Sequence, residues 1–367
     1  MREDSISAML GAAIAAGDFP SAVYAVAERG RVRFADALGH AVKDAEERPA
    51  TFDTIYDLAS LTKPLVTALL CASLVERGEV GLDDLAARYL TEFDTDDKRV
   101  ITLRQLLTHS AGLPAWRPLY LLAGGDKERV IQSIAREPLE SAPGTHVVYS
   151  DLGYIALGLM LERLYGRPLA EIARREIFEP LNLRRTFFNP DRAFVTEIAA
   201  CETGNAYERE TCQGEEAAGY VWRESLIWGE VHDANAHFLG GAAGHAGLFS
   251  TAAETTRLAA QFLAGVTELL KPETCVLFRT DMTPGLEEPR SVGWQLASMP
   301  NSTAGASLPP DGFGHLGFTG TSCWNDPARE RTFILLTNRT HARPLPFVNI
   351  NGTRREFHRL AVAALDG

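Results

Sequence analysis

Lysine is scarce in this chain: of 36 basic residues only Lys43, Lys63, Lys98, Lys127 and Lys271 are lysines, and the rest are arginines. Against 48 acids this leaves a formal net charge of -12, and no basic stripe runs along any segment, so a nucleic-acid partner is excluded. Long apolar runs are missing too, none approaching the ~20 residues that a membrane-spanning helix needs. Cysteine is sparse. Cys71, Cys201, Cys212, Cys275 and Cys323 are odd in number and lack the close pairs of a zinc site, which favours reduced thiols, with Cys201 and Cys212 the pair to test for a disulfide. No export signal is expected from Met1-Arg2-Glu3-Asp4, which puts acids where such a signal carries bases. A cytoplasmic protein is expected, or a periplasmic or extracellular one if the native N-terminus is longer.

The length of 367 residues and a hydrophobic fraction of 46% suit one large domain with an insertion, or two closely packed lobes. Met9 to Ala16 reads as an amphipathic helix ending at Gly17. Ala22 to Ala27 and Val32 to Ala37 are β-rich runs around a polar turn with Gly30, the pattern of a hairpin. From Asp83 to about Phe188 the spacing turns helical, with segments at Leu103 to Leu107, Lys127 to Ala135, Leu152 to Leu164 and Leu169 to Ile177. Asn189 to Gly244 is irregular, and its Tyr220, Trp222, Trp228 and Phe238 mark it as long loops packed over a site. Thr251-Ala252-Ala253-Glu254 has the form of a capping box. Strands are expected at Val292 to Leu296, His315 to Phe318, Thr321 to Trp324 and Thr332 to Thr337, and a last helix from about Gly352 to Leu365. Strands at both ends and helices between them give an α+β fold, one domain over 1–367 with an α/β lobe from 1–82 and 246–367 and a mostly helical lobe at 83–245.

One of the rare lysines stands in Ser60-Leu61-Thr62-Lys63. A serine hydroxyl is inert at neutral pH until a neighbouring group takes its proton, and a desolvated amine three residues on shares its helix face. Leu65, Val66, Leu69, Leu70 and Leu74 follow with helical spacing, so Ser60 opens a buried helix that ends near Gly78. Pro64 sits in the first turn, where a missing N–H costs little. The free N–H of Ser60 and the positive end of the helix dipole suit a developing oxyanion. The pair alone is a weak signal, since serine and lysine three apart recur by chance.

Two further motifs follow in order, Tyr149-Ser150-Asp151 at the start of an apolar helix and His315-Leu316-Gly317 on a strand running to Thr321. With Ser60-x-x-Lys63 they make the chain resemble the serine β-lactamase and penicillin-binding-protein superfamily, in its class-C-like branch, from about Pro20 to the last helix. The resemblance implies an antiparallel sheet flanked by helices with an inserted helical lobe. It also implies an acyl-enzyme on Ser60, with Lys63 and Tyr149 sharing the proton work and the oxyanion held between the N–H groups of Ser60 and Phe318. Two nearby groups with reference pKa values near 10 would each depress the other.

Departures from the pattern redirect the chemistry. Asp151 stands where asparagine is common and would hold Lys63 protonated, leaning base duty toward Tyr149. His315 and Leu316 stand where lysine and threonine are common, which weakens the charge that greets a substrate carboxylate and disfavours β-lactam hydrolysis. The stretch from Gly229 through His232 and Asp233, with Gly240 to Ser250 around His245, is similar to the subgroup of N-acetylmuramyl-L-alanine amidases and penicillin-binding protein 4B. Glycines of this density let a backbone approach a substrate. His232 and Asp233 either pin this loop or touch substrate, and with His237 and His245 they offer zinc-type donors at no standard spacing. His109 is expected as a satisfied core histidine. Trp116, Trp222 and Trp228 are expected to pack, with room for a sugar platform among them.

The expectation is a serine hydrolase without metal or cofactor, cleaving an amide or peptide bond in a cell-wall-derived peptide. The site is drawn from Ser60, Lys63 and Tyr149, with Phe318, His315, Gly317, Asp151, His245 and His232 around the substrate. The partner is a small peptide, muropeptide or ester. A carboxylesterase, or a silent binding protein that kept the fold, are the alternatives.

Overall fold

The computed structural model describes residues 2–43, 46–212, 217 and 219–367. Its frame is a seven-stranded sheet in the order β3-β2-β1-β9-β8-β7-β6, antiparallel at every pairing. The strands are β1 (Ser21–Glu28), β2 (Arg31–Val42), β3 (Arg48–Pro49), β6 (Gln295–Leu296), β7 (Phe313–Leu316), β8 (Ser322–Asp326) and β9 (Arg331–Thr337). β4 (Tyr56–Asp57) and β5 (Phe249–Ser250) pair separately. The expected first hairpin is present, closed by Arg29 and Gly30 with φ of 52° and 70°, the twin positive values that match the twist of paired strands.

Side-chain alternation gives the sheet two cores. Ala22, Tyr24 and Val26 of β1 with Phe333 and Leu335 of β9 face α1 (Arg2–Ala16) and α11 (Asn351–Leu365), around Ile6, Leu10 and Phe357. Val23, Ala25, Ile334 and Leu336 face the larger core, where Leu61, Leu65, Val66 and Leu69 lie. The helical part comprises α3 (Leu103–Leu107), α4 (Leu119–Leu122), α5 (Val130–Arg136), α6 (Asp151–Tyr165), α7 (Leu169–Ala173), α8 (Ala206–Thr211) and α9 (Ala234–Phe238), with α10 (Ala252–Ala259) packed on β1 and β9.

The helix that carries Ser60 and Lys63 departs from a plain α-helix. It opens with a 3₁₀ turn at Ala59–Leu61, passes through a π turn at Lys63–Ala68, and becomes α2 only over Leu69–Glu76. The N–H of Leu69 reaches Pro64 O, five residues back, and such wide turns commonly sit at working sites. Contrary to the sequence reading, the helical run Ala59–Glu76 is long and apolar enough to cross a membrane, yet 78% of it is buried inside the protein. It is the core helix here.

Other expectations need correction. The strand expected at Val292 to Leu296 shrinks to Gln295–Leu296, because Gly293 has φ of 81° and lies where a Cβ would meet Ala68 Cβ at 2.4 Å. The capping box at Thr251 is half made: its hydroxyl takes the N–H of Glu254, but the Glu254 carboxylate turns to the N–H groups of Arg184 and Arg185 and the hydroxyl of Thr186. All five cysteines are free thiols, Cys201 and Cys212 included.

The glycines of 240–247 serve packing as well as any ligand. At Gly244 a Cβ would fall 2.0 Å from Tyr154 O and 2.9 Å from Gly158 N of α6, so only glycine allows the two backbones to meet. Gly244 O accepts from Thr67 of the nucleophile helix at 2.6 Å. Gly244→Ala is therefore expected to cost about 2 kcal/mol or more through forced backbone movement. Thermal unfolding should fall by several degrees, and an unchanged midpoint would contradict this packing.

Candidate active site

Ser60 follows a strained residue. Ala59 has φ of 47°, a left-handed conformation costing on the order of 1–2 kcal/mol for a residue with a Cβ. Asp57 holds it there, one carboxylate oxygen accepting from the Ala59 N–H and the other from the His232 N–H, both at 2.8 Å. Thr62 donates to Ala59 O at 2.7 Å. The oxyanion strand is fastened to the same turn, because Thr319 and Thr321 donate to the carbonyls of Asp57 and Leu58 at 2.8 and 3.0 Å.

Lys63 is fully buried, and its Nζ has three acceptors. It donates to Ser60 Oγ at 2.9 Å and His245 O at 3.2 Å, and it pairs with Asp151 Oδ1 at 2.7 Å. Three acceptors suit an ammonium. Burial pulls the Lys63 pKa down, but the Asp151 charge and the neighbouring Tyr149 outweigh it, and the amine ends above its ordinary value. The expected effect of Asp151 is thus met.

Tyr149 lies within hydrogen-bonding reach of Lys63 and Ser60, and its pKa is raised because burial exceeds the pull of Lys63. The expected mutual depression does not occur: burial, with a smaller contribution from Asp151, raises Tyr149, and Asp151 with Tyr149 raises Lys63 against burial. Its ring sits 4.5 Å from His109 and 5.7 Å from His315. His109, at φ of 60°, accepts from the Ser150 N–H at 3.0 Å through Nδ1, while Nε2 is buried without a partner among the described residues. It is a platform for Tyr149 more than a satisfied core histidine. Ser150 caps α6 through Gly153 N–H and donates to Pro114 O at 2.7 Å.

His315 is neutral. Its Nδ1 faces Leu316 O at 2.8 Å and must donate, and burial, then Lys63 and Arg290, push its pKa well below the ordinary value. It supplies no fixed charge. Gly317 lies where a Cβ would meet Thr321 Oγ1 at 2.0 Å and Leu58 O at 2.6 Å. The Phe318 N–H has no backbone acceptor among the described residues, which leaves it available for the oxyanion role expected of it. Two guanidiniums brace this turn: Arg354 reaches Thr321 O at 3.0 Å and Gly317 O at 3.4 Å, and Arg339 reaches Phe318 O at 2.6 Å.

The histidine loop divides into two buried pairs. His232 Nε2 meets Glu202 at 3.0 Å, and burial pulls its pKa down less than Glu202 and the neighbouring carboxylates raise it. Its ring stacks on Phe318 at 5.5 Å. It both pins the loop and lines the cavity. His245 Nε2 meets Asp233 at 2.9 Å, and Asp233 also caps α9 through Ala236 N–H at 2.7 Å. Burial raises the Asp233 carboxyl, but His245 holds it below the usual range.

The donors for a cation differ from those proposed by sequence. Asp151, Asp233 and His245 have ligand atoms within 4.8 Å of one another, whereas His237 turns to Glu230 at 3.3 Å and His232 to Glu202. The Lys63 ammonium already provides positive charge at that cluster.

These residues surround a cavity of about 530 Å³ lined by Ser60, Tyr149, Asp151, His232, Asp233, His315, Gly317 and Phe318. His245 supports it from beneath through Lys63 and Asp233. Trp116 also lines it, while Trp222 packs on Tyr220 at 4.9 Å and Trp228 donates to Ile198 O at 2.7 Å. Sequence reasoning missed Asp57, Glu208, Arg290, Arg339 and Arg354, which no motif flags. Glu208 is buried in the cavity wall, accepts from Ala234 N–H at 3.0 Å, and is raised by burial and Asp233 to about 7.

A family model described as Beta-lactamase matches residues 6–351. A protein of Escherichia coli (strain K12) named "Putative D-alanyl-D-alanine carboxypeptidase" is 34% identical over 322 residues, 80% of this chain and 71% of that one. Among solved structures, a penicillin-binding protein homologue from Caulobacter crescentus superposes with a TM-score of 0.76 at 20% identity, covering 99% of this chain and 97% of that one. EstCE1, described as a hydrolase with promiscuous acyltransferase activity, gives 0.74 at 23% identity with 97% of each chain covered. These two are similar in fold.

Glu208 gives a signed dependence on pH. Its folded pKa of about 7 lies above the ordinary 4.5, so the native state keeps a proton that the unfolded chain has lost, and stability falls as pH rises through that window. Glu208→Gln keeps an acceptor for Ala234 and removes the penalty, on the order of 3 kcal/mol. Melting curves should show the variant gaining on wild type between pH 4.5 and 7 and holding its lead above. Parallel curves for the two proteins would refute it.

Proposed function

The chain belongs to the beta-lactamase family, and from that premise we propose that it forms an acyl-enzyme on Ser60 and cleaves an amide or peptide bond in a cell-wall-derived peptide. The observation that carries this reading is the contact of Ser60 Oγ with the buried Lys63 Nζ at 2.9 Å, beside Tyr149 and the free N–H of Phe318. The name of the Escherichia coli relative favours peptides of the wall as the substrate class. The neutral His315 and the absence of a hydroxyl at Leu316 count against β-lactams.

Lys63 is a resting ammonium and Tyr149 a resting phenol, so proton transfer is best read as a shuttle. Ser60 Oγ attacks the carbonyl carbon and passes its proton to Tyr149 Oη as the tyrosine's own proton moves to the leaving nitrogen. The carbon–nitrogen bond breaks, and the acyl group stays on Ser60. Water repeats the exchange in the second half, its proton passing through Tyr149 to Ser60 Oγ as the acid departs. Lys63 stabilises the developing charge on Ser60 Oγ, and the N–H groups of Ser60 and Phe318 stabilise the oxyanion.

Two measurements test this reading. A muropeptide digest read by mass should yield cleaved peptides, with turnover lower by about 10⁴-fold or more in Ser60→Ala. A fluorescent phosphonate should label wild type and not that variant. A digest left intact while p-nitrophenyl acetate is still turned over would overturn the amide assignment in favour of the esterase. Asp151→Asn leaves burial of Lys63 unopposed by its carboxylate, so the amine should lose its proton at lower pH. The alkaline limb of the acylation rate should then move down by about one pH unit or more. A rise in the neutral-pH rate would instead make Lys63 the base and overturn the Tyr149 shuttle.

A further inference from the structure

A second chamber of about 390 Å³ opens beside the catalytic cavity, lined by Tyr207, Glu210, Phe318, Arg339, Leu345, Pro346 and Phe347. Tyr207, Phe318 and Arg339 line both spaces, so the two meet at Phe318, whose N–H flanks the nucleophile. We propose that this chamber is a subsite for a group carrying both a ring and a carboxylate, borne by the substrate beyond the scissile bond. The proposal rests on the reading of Ser60 as the acylated residue.

Ring recognition follows from three aromatic side chains on the chamber wall, Tyr207 exposed and Phe318 and Phe347 partly so. Tyr207 lies 4.9 Å from Phe318 and 6.3 Å from Phe347, nearly parallel to the latter at 28°, and Phe318 and Phe347 meet edge to face at 5.9 Å. Tyr207 is 43% exposed. Aromatic rings clustered on a cavity wall, not sealed in a core, present flat apolar surface to a flat ligand.

Carboxylate recognition follows from uncompensated charge. Arg339 spends its donors on two neutral carbonyls, Phe318 O and Val348 O, and its guanidinium stands 5.3 Å from the Phe318 ring and 6.0 Å from the Phe347 ring. Arg354, nearby in the catalytic cavity, likewise bonds only carbonyls and the amide oxygen of Asn351. Among the described residues neither has a carboxylate within the 4.0 Å of an ion pair. Arg354 is buried and Arg339 partly buried; cations so placed without a counter-ion are costly, and an entering anion would relieve that cost. Burial, and for Arg354 the repulsion of Arg339, hold both below the ordinary arginine range. Glu210 is exposed at the rim, where solvent screens it.

A sugar acid and an aromatic acyl-amino acid share this chemistry, so the test uses one of each. Calorimetric titration with N-acetylmuramic acid and with hippurate should show binding of at least one. N-acetylglucosamine, a ring without a carboxylate, and lactate, a carboxylate without a ring, should bind at least about tenfold more weakly. Phe347→Ala and Arg339→Met should each weaken the bound acid by a similar factor, and Phe347→Ala carries the test if Arg339→Met does not fold. Binding of the muramic acid alone would assign a sugar acid, and of hippurate alone an aromatic acid. No binding by either acid, equal binding by the two controls, or unchanged affinity in Phe347→Ala would overturn the subsite. Phosphonate labelling of Ser60 is measured separately, so loss of the subsite leaves the reading of the nucleophile intact, and loss of labelling is seen on its own.

Discussion

The Lys63 ammonium is the point to which three separate parts of the chain are tied. Its three acceptors are Ser60 Oγ on its own helix, Asp151 at the start of α6, and His245 O on the glycine-rich loop. A charge with no solvent contact must be balanced and hydrogen-bonded in place, and removing one partner of such a pair commonly costs about 3–5 kcal/mol. Helix, helix start and loop are therefore positioned by a single electrostatic requirement. The close approach of Gly244 to α6 is what brings His245 O within reach of the amine.

The oxyanion side is tied to the same turn by neutral bonds. Thr319 and Thr321 fasten the β7–β8 turn to the carbonyls of Asp57 and Leu58, and Asp57 holds the left-handed Ala59 just before the nucleophile. Strain at Ala59 persists because surrounding bonds over-determine it. In the proposed mechanism these shared anchors set the spacing between Ser60 and the Phe318 N–H.

Much of this was legible in the sequence because it depends on local period and spacing. The β1–β2 hairpin, the last helix and α6 follow from patterns within about fifteen residues, the range over which periodicity is informative, whereas the three motifs were legible through their resemblance to a known family. What was not legible depends on tertiary charge. The upward shift of Tyr149, the neutrality of His315, and the roles of Asp57, Glu208 and Arg339 arise from partners far away in the chain. Arg339 closes a family-like stretch, Thr337-Asn338-Arg339, but nothing in the sequence gives it a role, which comes from its bonds to carbonyls alone with no carboxylate beside it among the described residues. The strand lost at Val292 shows the same limit, since Gly293 yields to the approach of Ala68 from the nucleophile helix.

Asp151 and His315 form one solution to a single electrostatic problem. A lysine at 315 would add a second buried ammonium beside Lys63, with Arg290 also near, as the lowered pKa of His315 already registers. With Asp151 as a one-to-one partner for Lys63 and a neutral imidazole at 315, the reaction centre carries close to no net charge apart from the Asp233–His245 pair. Arg339 and Arg354, which have no carboxylate partner among the described residues, line the same cavity around Phe318. In a β-lactam the carboxylate lies next to the reacting bond, whereas a longer peptide or sugar-bearing substrate can place its anion at a distance. On the proposed reading, selection turns on whether a substrate can set its carboxylate at these guanidiniums while its carbonyl meets Ser60, a matter of the spacing between the two groups.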